Sequence, residues 1–390
     1  MERAQVEIGK SKIRLRGLIK SKFGKNWLRF NRRNTLQFIK FLAFGILVGN
    51  VACNSNASSL FLKVEKIEKA KQITLYENKD YPIGRIWDAT ISSDSLLWLL
   101  DMAAADIKLF NLDGKFIRKL SGRGEAANAL QLPRTLEVTR DYILVADIGS
   151  KTTKWFNKEG TLIREISVNR LRPIIGNTKL ISENKILHAA LWDGTTDFTT
   201  AIHLIDSSGK ILQKLGSYPS EYDDYVLTGN RQIDYNPQTK TYVITFLQSP
   251  ALVIGNLANG EEKTLAFEKE RSKYISSNRP KGIIPSLDLV NKLTLEEAAN
   301  DRVLFLTDSI LVRSYFHCTE ESLKKRSSVL DKHFLEAYSI WGEYLGEVQL
   351  PGRLHGKHGD LLLIEESDEP DNRIFGLYAL NFKKTNIMPN

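Results

Sequence analysis

The sequence predicts an all-β fold: a six-bladed β-propeller closed by an N-terminal strand, with short helical insertions in its second half. Three observations predict it. The phrase DIKLFNLDGKFIRKL (Asp106 to Leu120) recurs as TTKWFNKEGTLIREI (Thr152 to Ile166). Gly114 and Gly160 lie 46 residues apart, as do Asp101 and Asp147, and a repeat of that length with strand-like content marks a propeller. Apolar residues alternate along short runs bounded by turn residues, as half-buried strands require.

The elements follow in order. The first blade spans Ile86 to Leu120 as IWDATIS, LLWLLD, IKLFNL and KFIRKL, and its Asp113-Gly114 pair favours a type I′ hairpin with positive φ at both central residues. Residues 122 to 166 read as a complete second blade with Glu159-Gly160 at the equivalent turn. The third runs from about Ile174 to Leu215 and turns at Ser208-Gly209; its Asp193 lies 46 residues beyond Asp147. A fourth covers Gln232 to Phe267, where the strand-end Asp is lost. Between Glu268 and Asn300, Thr294 followed by Glu297 reads as a capping box opening a short helix, TLEEAAN. The fifth blade resumes with RVLFLTD and carries a polar helical insertion from Thr319 to about Lys332. The sixth shows three strands, around Leu354, in DLLLIEE and in IFGLYALNF; KQITLY (Lys71 to Tyr76) is its expected fourth, because an unpaired edge would template aggregation. The domain plan is therefore leader 1–53, tether 54–66 and propeller 67–385.

The formal charge of +9 is confined to the leader. Residues 1 to 40 carry twelve Lys/Arg against two Glu, which leaves 43 basic and 44 acidic side chains for the rest. A fold with that balance lacks the basic stripe that phosphate neutralisation needs, so no nucleic-acid partner is expected. FLAFGILVG (Phe41 to Gly49) is too short to cross a hydrocarbon core of about 30 Å and suits the h-region of an export signal. It precedes Asn50-Val51-Ala52-Cys53, which resembles a bacterial lipobox with Cys53 as the lipidated residue, although Asn50 stands where Leu is usual. An uncleaved signal anchor and a plain signal peptide cut near Ala57 are the alternatives. NSNASS (Asn54 to Ser59) then serves as a flexible tether. The other cysteine, Cys318, reads as a small buried hydrophobe in a strand.

Residues 84 to 166 resemble the NHL-type propeller repeat: Gly122 and Gly124 in the link, Leu132-Pro133, a strand ending Val145-Ala146-Asp147, the pair Phe156-Asn157 and the turn Gly160. With the lipobox-like leader, the chain looks like the uncharacterised six-bladed-propeller lipoproteins of Bacteroidota, related in architecture to TolB-like propellers. That resemblance implies a fold and a compartment, the cell envelope with an outer-membrane anchor facing the periplasm rather than the surface. It implies no activity.

Three groups of residues could carry function. Asp101, Asp147 and Asp193 recur at equal spacing, and carboxylates at equivalent ring positions could hold Ca²⁺; Asp at a strand end more commonly accepts hydrogen bonds from turn amides. His355-Gly356-Lys357-His358 is the close histidine pair, read as a solvated loop entering the sixth blade because Arg353 and Lys357 oppose a cation. Links between blades share one face of a propeller, and here they are rich in Arg and Tyr: Arg123, Arg134, Arg170, Arg172, Tyr218, Tyr222, Tyr225 and Arg231. Arg and Tyr couple apolar area to directed hydrogen bonds, so this face is the expected partner-binding surface for a protein or glycan, with Arg123, Arg134, Arg172, Tyr218, Tyr222 and Arg231 as its residues. The expectation is a non-catalytic, monomeric, lipid-anchored binding propeller without cofactor. The alternative is a Ca²⁺-dependent hydrolase or lyase, lactonase-like, with the three Asp around an axial ion.

Overall fold

Short runs rich in apolar residues fold here into blades of four antiparallel strands, and six such blades surround an axis, the third and fourth joined by a parallel bridge between Gly176 and Arg231. The computed structural model describes residues 60–386 except 77–79, 125, 168–171, 192–199, 226–230, 268–269, 284 and 370–371. The leader with Cys53, residues 54–59 of the tether, Arg170 and Asp193 lie outside the described residues.

A single strand, β1 (Leu60–Thr74), precedes the first blade. That blade is β2 (Ile86–Ile91), β3 (Leu96–Asp101), β4 (Asp106–Asn111) and β5 (Phe116–Leu120). The second is β6 (Pro133–Val138), β7 (Tyr142–Asp147), β8 (Thr152–Asn157) and β9 (Leu162–Ser167). The third is β10 (Arg172–Ser182), β11 (Lys185–Leu191), β12 (Ile202–Asp206) and β13 (Ile211–Leu215); the fourth is β14 (Arg231–Asn236), β15 (Thr241–Phe246), β16 (Leu252–Asn256) and β17 (Glu262–Leu265). The fifth is β18 (Ala298–Phe305), β19 (Ile310–His317), β20 (Lys332–Ser339) and β21 (Tyr344–Gln349). The sixth, β22 (Arg353–His358), β23 (Leu361–Glu369) and β24 (Asn372–Asn386), takes β1 as its outer strand, in the order β1-β24-β23-β22. The ring is a six-bladed propeller sealed by its N-terminal strand. That strand starts at Leu60, inside the stretch read as tether, because Val64 and Ile67 pack half-buried against the apolar cluster between blades five and six.

The innermost strands β2, β6, β10, β14, β18 and β22 neighbour one another in sequence order around the axis. The apolar core is divided between adjacent sheets. Trp98, Leu100 and Ile107 of the first blade, for example, meet Leu136, Val145 and Phe156 of the second. Each such side chain, fully withdrawn from water, contributes on the order of 2 kcal/mol, so blades hold one another rather than standing alone.

The structure corrects three local expectations. Among the residues of the first hairpin only Gly114 has positive φ, and its N–H donates to the Asn111 carbonyl while Asn111 N–H donates to Lys115 O. This is a type I turn closed by a left-handed glycine rather than a type I′ turn. Asn111 Oδ1 accepts from the N–H groups of Asp113 and Lys115, and Asn157 Oδ1 does the same for Thr161, which explains the Asn after the aromatic residue in the repeat. The helix expected at 294–300 lies earlier: α3 (Leu287–Glu296) is capped by the Ser286 side chain, Thr294 sits inside it, and Ala298 already begins β18. Before it come the single turns α1 (Glu221–Asp224) and α2 (Arg271–Tyr274). The polar insertion of blade five forms α4 (Glu320–Lys325), with Thr319 and Ser322 in a reciprocal capping box, followed by a 3-10 turn at Ser328–Leu330. Residues 355–358 are strand, not solvated loop: His355 is 2% exposed in β22, and its Nε2 lies 2.8 Å from Glu365, which also receives Arg373.

Candidate functional site

Strands alternate direction across each blade, so the innermost strands all start at the face that carries the links between blades. A cavity of about 440 Å³ opens there on the axis, within the range of small-molecule sites. Its walls are the first residues of innermost strands: Arg85 and Trp87 at β2, Arg134 and Thr135 in β6, Gln232 in β14, Asn300, Asp301 and Arg302 in β18, and Arg353 in β22. The insertion of blade five covers one side through Ser322, Leu323, Arg326 and Ser327.

Below the walls a set of buried charges ties the innermost strands together. Asp88 accepts from Leu136 N–H at 2.9 Å, and Glu137 from Leu180 N–H at 3.2 Å, each acid reaching the next blade. Asp234 accepts from Phe305 N–H at 2.8 Å in the same way. Lys179 bridges Glu137 and Asp234, at 3.4 and 3.1 Å. Arg302 closes the floor on Asp88 at 2.8 Å.

Arginines dominate the cavity itself. Arg353 makes a two-pronged contact with Asp301, at 3.1 and 3.2 Å. Burial opposes ionisation of Asp301, but the adjacent Arg353 guanidinium outweighs it and holds the carboxyl down at about 2. Arg302 is engaged with Asp88. Arg134 has no acidic side chain within ion-pair distance among the described residues; its guanidinium lies 4.0 Å from the Trp87 ring centre, and its Nε is buried with no hydrogen-bond partner. Arg85 stands 5.5 Å from the same ring. Burial, and then the Arg85 charge, lower the pKa of Arg134, as expected where positive charges crowd without counter-ions.

Cys318 lies just past the end of β19, half-buried in the cavity wall, rather than within a strand. Burial, then the nearby Asp331, push its thiol up to about 12, which suppresses the thiolate a nucleophile requires. His333 is buried with Nε2 against the Ser328 carbonyl at 2.7 Å, and burial lowers its pKa. The chemistry on offer is recognition of charge and hydrogen-bonding groups.

The other residues singled out from the sequence are placed as follows. Arg123 is exposed in the first link and donates to Ala103 O at 3.2 Å. Arg172 opens β10, and its side chain lies outside the described set. Tyr218, Tyr222 and Arg231 come together, but inward. The Tyr218 ring lies 5.0 Å from Tyr222 and 5.5 Å from Phe246, and Arg231 is 1% exposed and donates to the Tyr218 hydroxyl. Burial pushes Arg231 down to about 9. This cluster anchors the long link to the fourth blade. Asp101 and Asp147 are fully buried at the ends of β3 and β7, each tied to its own turn. Asp101 accepts from Gly84, Ala103 and Ala104 N–H and from Lys108; Asp147 accepts from Gln131, Leu132 and Gly149 N–H. Each staples a link to a neighbouring turn. Arg85, Trp87, Gln232 and Arg326 escaped the sequence reading. The signal that could have found Arg85, Trp87 and Gln232 is a polar or amphipathic residue at or just before the start of an innermost strand; Arg326 lies in the blade-five insertion and carries no such signal.

No family model matches the chain, and no curated protein matches it in sequence. Solved structures do match in fold. A member of the DUF4221 family from Bacteroides vulgatus, 12% identical, superposes with a TM-score of 0.61 over 83% of this chain and 99% of that one. A Bacteroides fragilis protein whose name describes it as exported is 14% identical, with a TM-score of 0.50 over 84% of this chain and 97% of that one. At such identities the likeness speaks for the propeller architecture alone.

Proposed function

We propose that this chain is a non-catalytic binding propeller of the bacterial cell envelope, exported and held by a lipid on Cys53, which receives a protein or glycan partner at the axial cavity on its link face. The observation that carries this reading is the uncompensated Arg134 beside Trp87 and Arg85 in an open cavity. A half-buried cation without a counter-ion gains when a ligand supplies one. Export is supported by the basic stretch and apolar run ahead of Cys53, and by the name of the Bacteroides fragilis structural neighbour. In this reading the lipid anchors the chain in the outer membrane, on the periplasmic side rather than the surface.

In-cell crosslinking tests this. A photoreactive residue at Arg326, on the cavity lip, should give one dominant adduct that disappears when Trp87 and Arg134 are both replaced by Gln. The same adduct with and without those side chains would remove the cavity from the binding function. Cys53→Ser should release the protein from the membrane fraction. The calcium-dependent hydrolase remains the competing reading. Its carboxylates Asp101 and Asp147 are occupied by turn amides, and a several-degree rise in melting temperature on adding Ca²⁺ would reinstate it.

A further inference from the structure

The cavity wall holds two kinds of unmet demand. Half-buried Arg134, with the Arg85 charge beside it, has no acidic partner among the described residues. Buried polar atoms need partners: Gln232 Oε1 has no donor, and the Ser327 hydroxyl and His333 Nδ1, in residues that also line the wall, have no partner. Buried polar atoms in a folded protein are almost always paired, so several orphans converging on one cavity describe the ligand that completes them. A bare carboxylate or phosphate would satisfy the arginines and leave Gln232 without a donor. A neutral sugar would supply hydroxyl hydrogens and leave Arg134 uncompensated. A ring that carries both a carboxylate and several hydroxyl groups satisfies the whole set.

We infer that the axial cavity binds an acidic sugar of the uronic-acid class, its carboxylate held by Arg134 and Arg85 against Trp87 and its hydroxyls paired with Gln232, Ser327 and His333. This rests on the binding reading above and narrows its ligand to one chemistry. Trp87 fixes the guanidinium of Arg134 by stacking, so a planar carboxylate meets a planar, pre-oriented fork. The binding must weaken with salt, because Arg85 is exposed at the mouth.

Isothermal titration of the purified propeller with three probes tests the inference: methyl glucuronoside, methyl glucoside as its uncharged counterpart, and N-acetylglutamate as an acid with an amide donor but no ring hydroxyls. The glucuronoside should bind saturably and at least tenfold more tightly than the other two. Arg134→Gln should weaken it tenfold or more. Arg85→Gln, an exposed site whose change leaves the fold intact, should weaken it severalfold, with unchanged melting temperature as the check. Equal binding of the glucoside would overturn the role of charge, and equal or tighter binding of N-acetylglutamate would overturn the sugar in favour of an acidic peptide. Absence of binding by all three overturns the inference and leaves the orphan groups to water. Persistence of the Trp87- and Arg134-dependent crosslink in that case would leave the broader binding reading standing; loss of both would remove both.

Discussion

Arg302 Nη2 lies 2.8 Å from Asp88 Oδ1, joining the fifth blade to the first past the sixth that stands between them. Both side chains are nearly inaccessible, at 6% and 3% exposure. Asp88 also accepts the Leu136 amide of the second blade, so one carboxylate holds three sheets. Replacing Arg302 by Met leaves that carboxylate buried without its cation, at a cost of about 3–5 kcal/mol. Urea denaturation should show this loss, and Asp88→Leu combined with Arg302→Met should recover part of it.

The two hairpin glycines Gly114 and Gly260 share the same strained backbone, with φ of 80° and 74°, but differ in surroundings. A Cβ on Gly260 would meet nothing within 4 Å, whereas one on Gly114 would come within 1.8 Å of the Thr74 carbonyl of β1. Gly260→Ala should cost about 1–2 kcal/mol from the left-handed conformation alone. Gly114→Ala should cost clearly more, since it must push the closing strand aside, and thermal melts of the two variants give the comparison directly.

Asp147 takes the amides of Gln131, Leu132 and Gly149, so Asp147→Ala leaves three donors without an acceptor. The loss should be about 3 kcal/mol. Hydrogen exchange should locate it, with the Gln131 and Leu132 amides accelerating well ahead of those in the β8 ladder.

His188 is buried with Nδ1 3.0 Å from the Thr178 hydroxyl. Burial first, then the charges of His203 and Arg231, hold its pKa down at about 3 against an ordinary value of 6.5. The unfolded chain therefore binds the extra proton between these limits, and stability is complete above pH 6.5 and falls as pH drops towards 3. The slope from this group is at most about 1.4 kcal/mol per pH unit. His188→Gln should flatten the acid limb between pH 6 and 4; an unchanged slope would show that His188 is not held neutral.

The first two blades were legible because their staples recur: an Asp at the end of the second strand and an Asn-to-Gly hairpin are local devices that each blade must build for itself. Later blades read less well because Gln248 to Pro250 replaces the Asp and because insertions such as 319–331 interrupt the period. The cavity was mostly illegible. Its residues come from five blades, and only closure of the ring makes Arg85, Arg134, Gln232 and Arg353 neighbours. The link residues Tyr218, Tyr222 and Arg231 looked open to partners since Arg and Tyr suit both surfaces and packed joints. Phe246 decides between these, offering a buried ring on which the two tyrosines rest.

Because β1 is made at the beginning of the chain and β22–β24 at its end, the sixth sheet cannot form while the polypeptide is still being synthesised. Until the last residues arrive, the nascent molecule is an open arc with two unsatisfied margins. Closure therefore waits for the pairing of β1 with β24, and only then does every blade gain a neighbour on both sides.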